Sequence, residues 1–268
     1  MTFYIGTCRY MDYELWNNFF PGRLHTTKEI IFFLQNIKNV AQIIKKESPN
    51  IIDLLFGDIT HPQVYPLLKH FLNVPDFTIF NNINIEISSR KLFLHKNIPF
   101  NYHYSTVLFD KWKKEKIPFN TVSYKEYKEK QKYIDEFVYK ELTDDEILQD
   151  ITTIKELIKI VFGDKAVLNV ITQINLKLKD TNKYIPDRES LVKTLEMSCG
   201  ALNINCYNPG KYIESLHPNV LMCDYVMDNQ HFNSMVKYHE TIKMFKHQRP
   251  CDVDIKKVLQ CYQQHNRI

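Results

Sequence analysis

The 268-residue sequence has the composition of an ordinary globular protein, with 44% hydrophobic and 25% charged residues. Its 35 basic and 31 acidic side chains leave a net charge of only +4, which without a basic motif does not favour nucleic-acid binding. The six cysteines form no C-x-x-C pair and no zinc-type spacing, so no metal site is expected.

The first predicted element is a short buried strand at residues 2–5, rich in β-branched and aromatic side chains. Gly6 then permits a tight turn that brings Cys8 and Arg9 to the carboxyl end of the strand. In open α/β sheets, ligands bind outside the carboxyl ends of the strands. A thiol there can face a substrate, while the Arg lowers its pKa or holds an anion. The alternative is that Cys8 is one more small buried hydrophobe.

A helix is predicted next, capped by Thr26 or Thr27, with Glu29 in its first turn and apolar residues at helical spacing as far as Ile44. His25 stands at the entry to this helix. A protonated His is disfavoured at a helix amino terminus. His25 is therefore either simply exposed or held neutral for a catalytic purpose.

The remaining chain alternates between predicted strands and helices. Strands are predicted at residues 51–56, 77–87, 166–172 and 203–207, and helices at residues 60–72, 143–163 and 186–200. Polar residues follow two of these strands, including Ser89 and Asn175. This alternation predicts an α/β protein, a three-layer α/β/α arrangement with a central, mostly parallel sheet of about five strands.

Residues 91–142 differ from the rest because they are dense in Lys, Tyr and Glu. We predict a single domain over residues 1–268 with a helical or irregular insertion at about 91–142. Mixed charge there is typical of solvated helix faces. Its aromatic residues either pack the insertion or form a cover that binds an acceptor molecule.

Near the carboxyl end, Asp228 and His231 are spaced three residues apart, just before a helical pattern. The Asp can orient the imidazole and stabilise its charged form, leaving the other ring nitrogen for a nucleophile. A lone D-x-x-H pair is a weak motif. It gains specificity from a candidate nucleophile after the first strand.

The Gly-Thr-Cys-Arg block at residues 6–9, together with the late D-x-x-H pair, resembles the SGNH (GDSL-like) hydrolase superfamily in its cysteine-nucleophile branch. Residues 23–29, 86–89 and 172–188 are similar to polysaccharide-associated members. The resemblance implies that Cys8 is the nucleophile, His231 the general base and Asp228 its orienter.

The resemblance also implies oxyanion donors from the Cys8 backbone N–H and from two further blocks. Those blocks, usually Gly and Gly-x-Asn, are not intact here, and Ser89 and Asn175 are the candidates to replace them. Arg9 is a candidate substrate contact. His25 is a reserve base.

Taken with a thiol nucleophile, the resemblance implies an acetyltransferase that moves an acetyl group from acetyl-CoA to a sugar or nucleotide-linked amino sugar through a Cys8 thioester. A thiol esterase or deacetylase with the same triad is one alternative, and an inactive SGNH-like binding protein is another. With no signal peptide and no apolar run of ~18 residues, we expect a cytoplasmic protein that binds neither membrane nor nucleic acid.

Overall fold

The computed structural model describes residues 1–6, 19–47, 49–57, 59–60, 64–114, 135–216, 218–219 and 221–222. The strands in these ranges are β1 (Thr2–Ile5), β2 (Asn82–Ile87), β3 (Lys91–His95), β4 (Ile98–Asn101), β5 (Val138–Glu141), β6 (Val167–Thr172) and β7 (Asn205–Tyr207). The helices are α1 (Thr27–Asn36), α2 (Val40–Lys46), α3 (Pro49–Phe56), α4 (Tyr65–Leu72), α5 (Tyr102–Lys114), α6 (Asp144–Phe162), α7 (Pro186–Ala201) and α8 (Pro209–Leu216).

Four parallel strands form the main sheet in the order β1-β2-β6-β7. Helices lie between successive strands, and α6 contacts both α1 and α7. This confirms the predicted α/β class with a parallel sheet flanked by helices. The described sheet has four strands rather than about five.

The predicted strand at residues 51–56 is wrong, because these residues belong to α3. A short apolar run does not by itself distinguish a strand from a buried helix. Pro49 opens this helix, a position where its fixed φ is favourable. Asp53 is accommodated because its carboxylate accepts hydrogen bonds from the Thr60 backbone N–H at 2.8 Å and from the Thr60 hydroxyl at 2.6 Å.

Other predicted boundaries move by a few residues. The strand predicted at residues 77–87 begins only at Asn82, because Phe77–Ile79 forms a 3₁₀ turn capped by Asp76. The helix predicted from residue 60 begins at Tyr65. The helix predicted as far as Ile44 is interrupted by a 3₁₀ turn at Ile37–Asn39. Helix α8 was not predicted from the sequence.

One face of the main sheet is apolar and packs against the helices. On this face Phe3 of β1 belongs to an aromatic cluster, with its ring centroid 5.0 to 6.3 Å from those of Phe71, Phe77, Phe80 and Phe162. Burying each such ring stabilises the fold by roughly 1.5–3 kcal/mol. This cluster fixes β1 and therefore its carboxyl end, after which the sequence analysis predicts the nucleophile.

The alternate side chains of the same strands form a polar row across the sheet. Tyr4, Asn84, Asn169 and Asn205 are in register on four neighbouring strands. The Asn169 amide donates to Asn84 Oδ1 at 2.9 Å, and the Asn205 amide donates to Asn169 Oδ1 at 2.9 Å. Burial raises the pKa of Tyr4 to about 12, although a hydrogen bond with Asn84 opposes the shift.

A second sheet of three antiparallel strands, in the order β4-β3-β5, lies within residues 91–142. Lys96 and Asn97, both with positive φ, form the two-residue turn between β3 and β4. The division of the chain into a domain and an insertion stays a prediction. In the described part of the chain, no helix combines the length and apolar character needed to cross a membrane.

Candidate active site

The carboxyl ends of the parallel strands meet at one edge of the main sheet, where α/β proteins usually bind ligands. β1 ends at Ile5 and is followed by Gly6, whose φ of +153° favours glycine. β2 ends at Ile87 and leads into Ser88 and Ser89, and β6 ends at Thr172.

The loop before α1 lies between the ends of β1 and β2. The Leu24 backbone N–H donates to the carbonyl oxygen of Gly6 at 3.0 Å. The carbonyl oxygen of His25 accepts from the backbone N–H groups of Ser88 at 2.9 Å and Ser89 at 3.0 Å. Two separately predicted site residues, His25 and Ser89, are therefore neighbours, close to the strand end that leads to Cys8.

Glu29 holds the backbone N–H of His25, while Ser88 and Ser89 hold its carbonyl oxygen. Thr26 is the N-cap of α1, and Thr26 and Glu29 form a capping box. The Glu29 carboxylate accepts hydrogen bonds from the backbone N–H groups of Thr26 at 2.8 Å and His25 at 3.3 Å. Burial raises the pKa of Glu29 to about 7, and hydrogen bonds from Thr26, Asn101 and His25 oppose that shift.

The second sheet is attached to the same loop through Asn101, at the end of β4. Its side-chain amide donates to Glu29 Oε1 at 2.9 Å and to the carbonyl oxygen of Arg23 at 3.0 Å. Its own Oδ1 accepts from the Tyr104 backbone N–H at 3.2 Å, and the Arg23 side chain hydrogen-bonds to the Tyr104 hydroxyl. The loop that carries His25 is therefore fixed by both sheets.

The Ser89 hydroxyl is engaged locally. It accepts a hydrogen bond from the Lys91 backbone N–H at 2.9 Å and lies 3.4 Å from the Lys91 carbonyl oxygen. The Ser89 backbone N–H is bonded to His25, as described above. A role for Ser89 as an oxyanion donor stays a prediction.

The Asn175 side chain closes the loop after β6. Its Oδ1 accepts from the Ile185 backbone N–H at 3.2 Å, and its amide nitrogen lies 3.5 Å from the Ile185 carbonyl oxygen. Gly210 packs tightly against the backbone of Asn175, since a Cβ at position 210 would lie 2.6 Å from the Asn175 backbone carbonyl oxygen. Asn175 has a structural use here, and its predicted oxyanion role stays a prediction.

The four other predicted site residues, Cys8, Arg9, Asp228 and His231, lie outside the described residues. Their roles and their mutual geometry stay predictions.

The described part of the chain offers the thiols of Cys199 and Cys206. A hydrogen bond with Cys199, and then burial, raise the pKa of Cys206 well above its usual range. Cys206 is therefore held as a thiol and is a poor nucleophile.

Sequence reasoning missed the part that Glu29 plays in this site. Its spacing after Thr26 carries the capping-box signal, which predicts the bond to the N-cap backbone. Nothing in the local sequence indicates that the carboxylate is fully buried or that Asn101, 72 residues away, donates to it. Such long-range contacts depend on how the two sheets pack.

A family model described as the TviD N-terminal domain matches residues 110–243, which is half of the chain. The matched half includes Asn175, Asp228 and His231, whereas Cys8 and His25 precede it. No curated protein and no solved structure matches the chain.

Proposed function

The chain belongs to the family of the TviD N-terminal domain, and from this premise we propose that it is a glycan-modifying acyltransferase. The family name is linked to acetyltransferase-related proteins of Vi antigen biosynthesis. We propose acetyl-CoA as the acyl donor and a sugar or nucleotide-linked amino sugar as the acceptor. The SGNH-like arrangement inferred from the sequence supplies the catalytic groups.

One structural observation carries this proposal: Gly6, His25 and Ser89 lie together at the carboxyl edge of the parallel sheet. In the sequence, Cys8 follows Gly6 by two residues. The proposal therefore puts the thiol beside a rigid loop that two sheets hold in place. Catalytic groups need such support, because small displacements of a nucleophile or base reduce rates strongly.

The proposed reaction has two acyl-transfer steps. First, His231 takes the proton of the Cys8 thiol, and the thiolate attacks the thioester carbonyl of acetyl-CoA. The carbon–sulfur bond to CoA breaks, and the CoA thiolate leaves with the proton from His231. Asp228 orients His231 and stabilises its charged form.

In the second step, a hydroxyl or amine of the sugar attacks the acetyl group on Cys8. His231 takes the proton from the acceptor and returns it to the Cys8 sulfur as that bond breaks. Arg9, the next residue in the sequence, stabilises the thiolate or holds an anionic group of the donor in this proposal. His25 is the second candidate for the base.

A specific observation favours one alternative, an inactive binding protein. The Ser89 hydroxyl and the Asn175 side-chain amide are both engaged by nearby backbone groups. Loss of a single oxyanion donor typically reduces the rate by ~10²–10³. A chain without either donor depends on backbone N–H groups to stabilise the oxyanion.

The test is the intact mass of the protein after incubation with acetyl-CoA, with release of free CoA measured on the same samples. We expect a gain of one acetyl group that disappears in Cys8→Ala and persists in the matched control Cys206→Ala. CoA release that requires Cys8 but no sugar identifies the thiol esterase. No acetyl adduct and no CoA release, with or without sugar acceptors, would establish the inactive binding protein.

A further inference from the structure

A cleft of about 320 Å³ opens at the carboxyl end of β7, between α7 and α8. Its volume is in the range of small-molecule sites. The side chains that give it chemical character are polar or aromatic: Glu196, Tyr207, Asn208, Lys211, Tyr212 and Ser215. None of them belongs to the site described above.

Hydrogen bonds and an ion pair connect the polar groups of the cleft. The Asn208 amide donates to Glu196 Oε1 at 3.0 Å, and the Lys211 ammonium lies 3.9 Å from the same oxygen. Asn208 Oδ1 accepts from the Lys211 backbone N–H at 3.0 Å. The cleft therefore presents both donors and acceptors, at the junction of α7 and α8.

This combination suits a carbohydrate. A sugar hydroxyl both donates and accepts, as the mixed polar set requires. Tyr207 and Tyr212 are both partly exposed. A tyrosine ring has an apolar face and a polar hydroxyl, which match the apolar face and the polar edge of a sugar ring. A nucleotide phosphate is less suited, because the Glu196 carboxylate offsets the single charge of Lys211.

The position of the cleft sets the size of the ligand. β7 lies three strands from β1 in the sheet order, and three strand spacings amount to about 14 Å. One monosaccharide does not cover that distance, whereas a short oligosaccharide does. A sugar in this cleft would therefore lie in the same glycan chain as the reacting unit, several units away from it.

We propose that this cleft is a subsite for a neutral pyranose unit of an oligosaccharide acceptor. The inference rests on the proposed function, because it takes the glycan to be the acyl acceptor at the end of β1. It narrows the proposed sugar acceptor to a unit within an extended chain, in place of a nucleotide-linked monosaccharide. Tyr212 stacks on the pyranose, and Lys211 and Glu196 bind its hydroxyls.

The test is calorimetric titration of the full chain with maltotetraose, cellotetraose and chitotetraose, and with their monosaccharides. We expect at least one tetrasaccharide to bind, and its monosaccharide to bind at least about tenfold more weakly. Tyr212→Ala should weaken tetrasaccharide binding about tenfold or more. The matched control is Ile160→Ala, at an exposed hydrophobic side chain of α6 outside residues 91–142, which should bind like the wild type.

Lys211→Ala, at a side chain that is 77% exposed, gives a second variant that folds even if Tyr212→Ala does not, and it should weaken binding about threefold or more. Binding of no tetrasaccharide, or equal binding by wild type and both variants, would overturn the subsite. Tetrasaccharide binding that depends on Tyr212 in a protein that never becomes acetylated on Cys8 would support the subsite and overturn only the acyl transfer.

Discussion

The carboxylate of Glu29 in α1 accepts a hydrogen bond of 2.9 Å from the side-chain amide of Asn101, which ends strand β4 of the second sheet. Both side chains are fully buried. Because Glu29 also binds the backbone of His25 and Thr26, one carboxylate connects the antiparallel sheet to the carboxyl edge of the parallel sheet. A buried group with this many partners controls local geometry as well as stability.

We predict that Glu29 makes the free energy of unfolding fall as the pH rises. Its pKa is about 7 in the folded protein and 4.5 without burial. Between those values the folded state binds more protons at Glu29 than the unfolded state does, so the contribution of Glu29 to stability is fully present below about pH 4.5 and is lost as the pH rises to about 7. The full effect is on the order of 3 kcal/mol.

The measurement is urea unfolding of wild type and Glu29→Gln at several pH values between 4 and 8. The difference in stability between the two proteins should change with pH in this window, with the wild type losing more than the variant as the pH rises. A difference that stays constant across the window would show that Glu29 does not titrate there. The comparison cancels the contributions of the other titrating groups.

A second prediction concerns the polar row across the sheet. Asn169 is 0% exposed, and Asn169→Ala removes its hydrogen bonds with Asn84 and Asn205. We expect the free energy of unfolding to fall by about 2–4 kcal/mol. Asn205→Ala is the matched control at the exposed end of the row, and it should cost about 1 kcal/mol or less. Equal losses in the two variants, measured by urea unfolding, would mean that the row does not act as a buried network.

The sequence was sufficient to predict the helices whose capping residues, apolar spacing and terminating residues all indicate the same element. The Thr143–Glu146 capping box with Gly163 predicts α6, and residues 186 to 200 predict most of α7. The apolar run before Gly57 was wrongly predicted as a strand. Its six residues have mixed strand and helix preference, so packing rather than the local pattern decides their secondary structure.

For the candidate site, the sequence predicted which polar residues follow the strands but not what those residues contact. His25 and Ser89 were singled out separately. Their direct backbone contact depends on how the loop before α1 packs against the end of β2. The family resemblance implied Asn175 as an oxyanion candidate, and the structure adds that its side chain pairs with the backbone of Ile185, ten residues further along the chain. Neither contact has a periodic signature in the sequence.

A third prediction separates the cysteines by reactivity. Cys206 should react slowly with iodoacetamide in the native protein at pH 8, because its hydrogen bond to Cys199 and its burial raise its pKa and leave little thiolate. Under the proposed function, Cys8 should react much faster. Peptide mass mapping after timed alkylation measures both rates, with unfolded protein as the control in which all cysteines react. Faster labelling of Cys206 than of Cys8 would contradict both assignments.

The last prediction distinguishes the two candidate bases. His25 is held through its backbone N–H and carbonyl oxygen, so His25→Gln should leave those bonds to Glu29, Ser88 and Ser89 in place and preserve the fold. His231→Gln should abolish acetylation of Cys8, because the proposed general base is lost and base catalysis typically contributes 10²–10⁴ in rate. Single-turnover acetylation by acetyl-CoA, followed by intact mass, measures each variant.

We expect His25→Gln to retain measurable acetylation and His231→Gln to retain none, with both variants unfolding at the same urea concentration as the wild type. The opposite pattern would assign the base to His25, beside the end of β1, and would remove His231 from the mechanism. Because neither substitution is expected to disturb the backbone contacts that fix the loop, a loss of rate can be attributed to the imidazole itself.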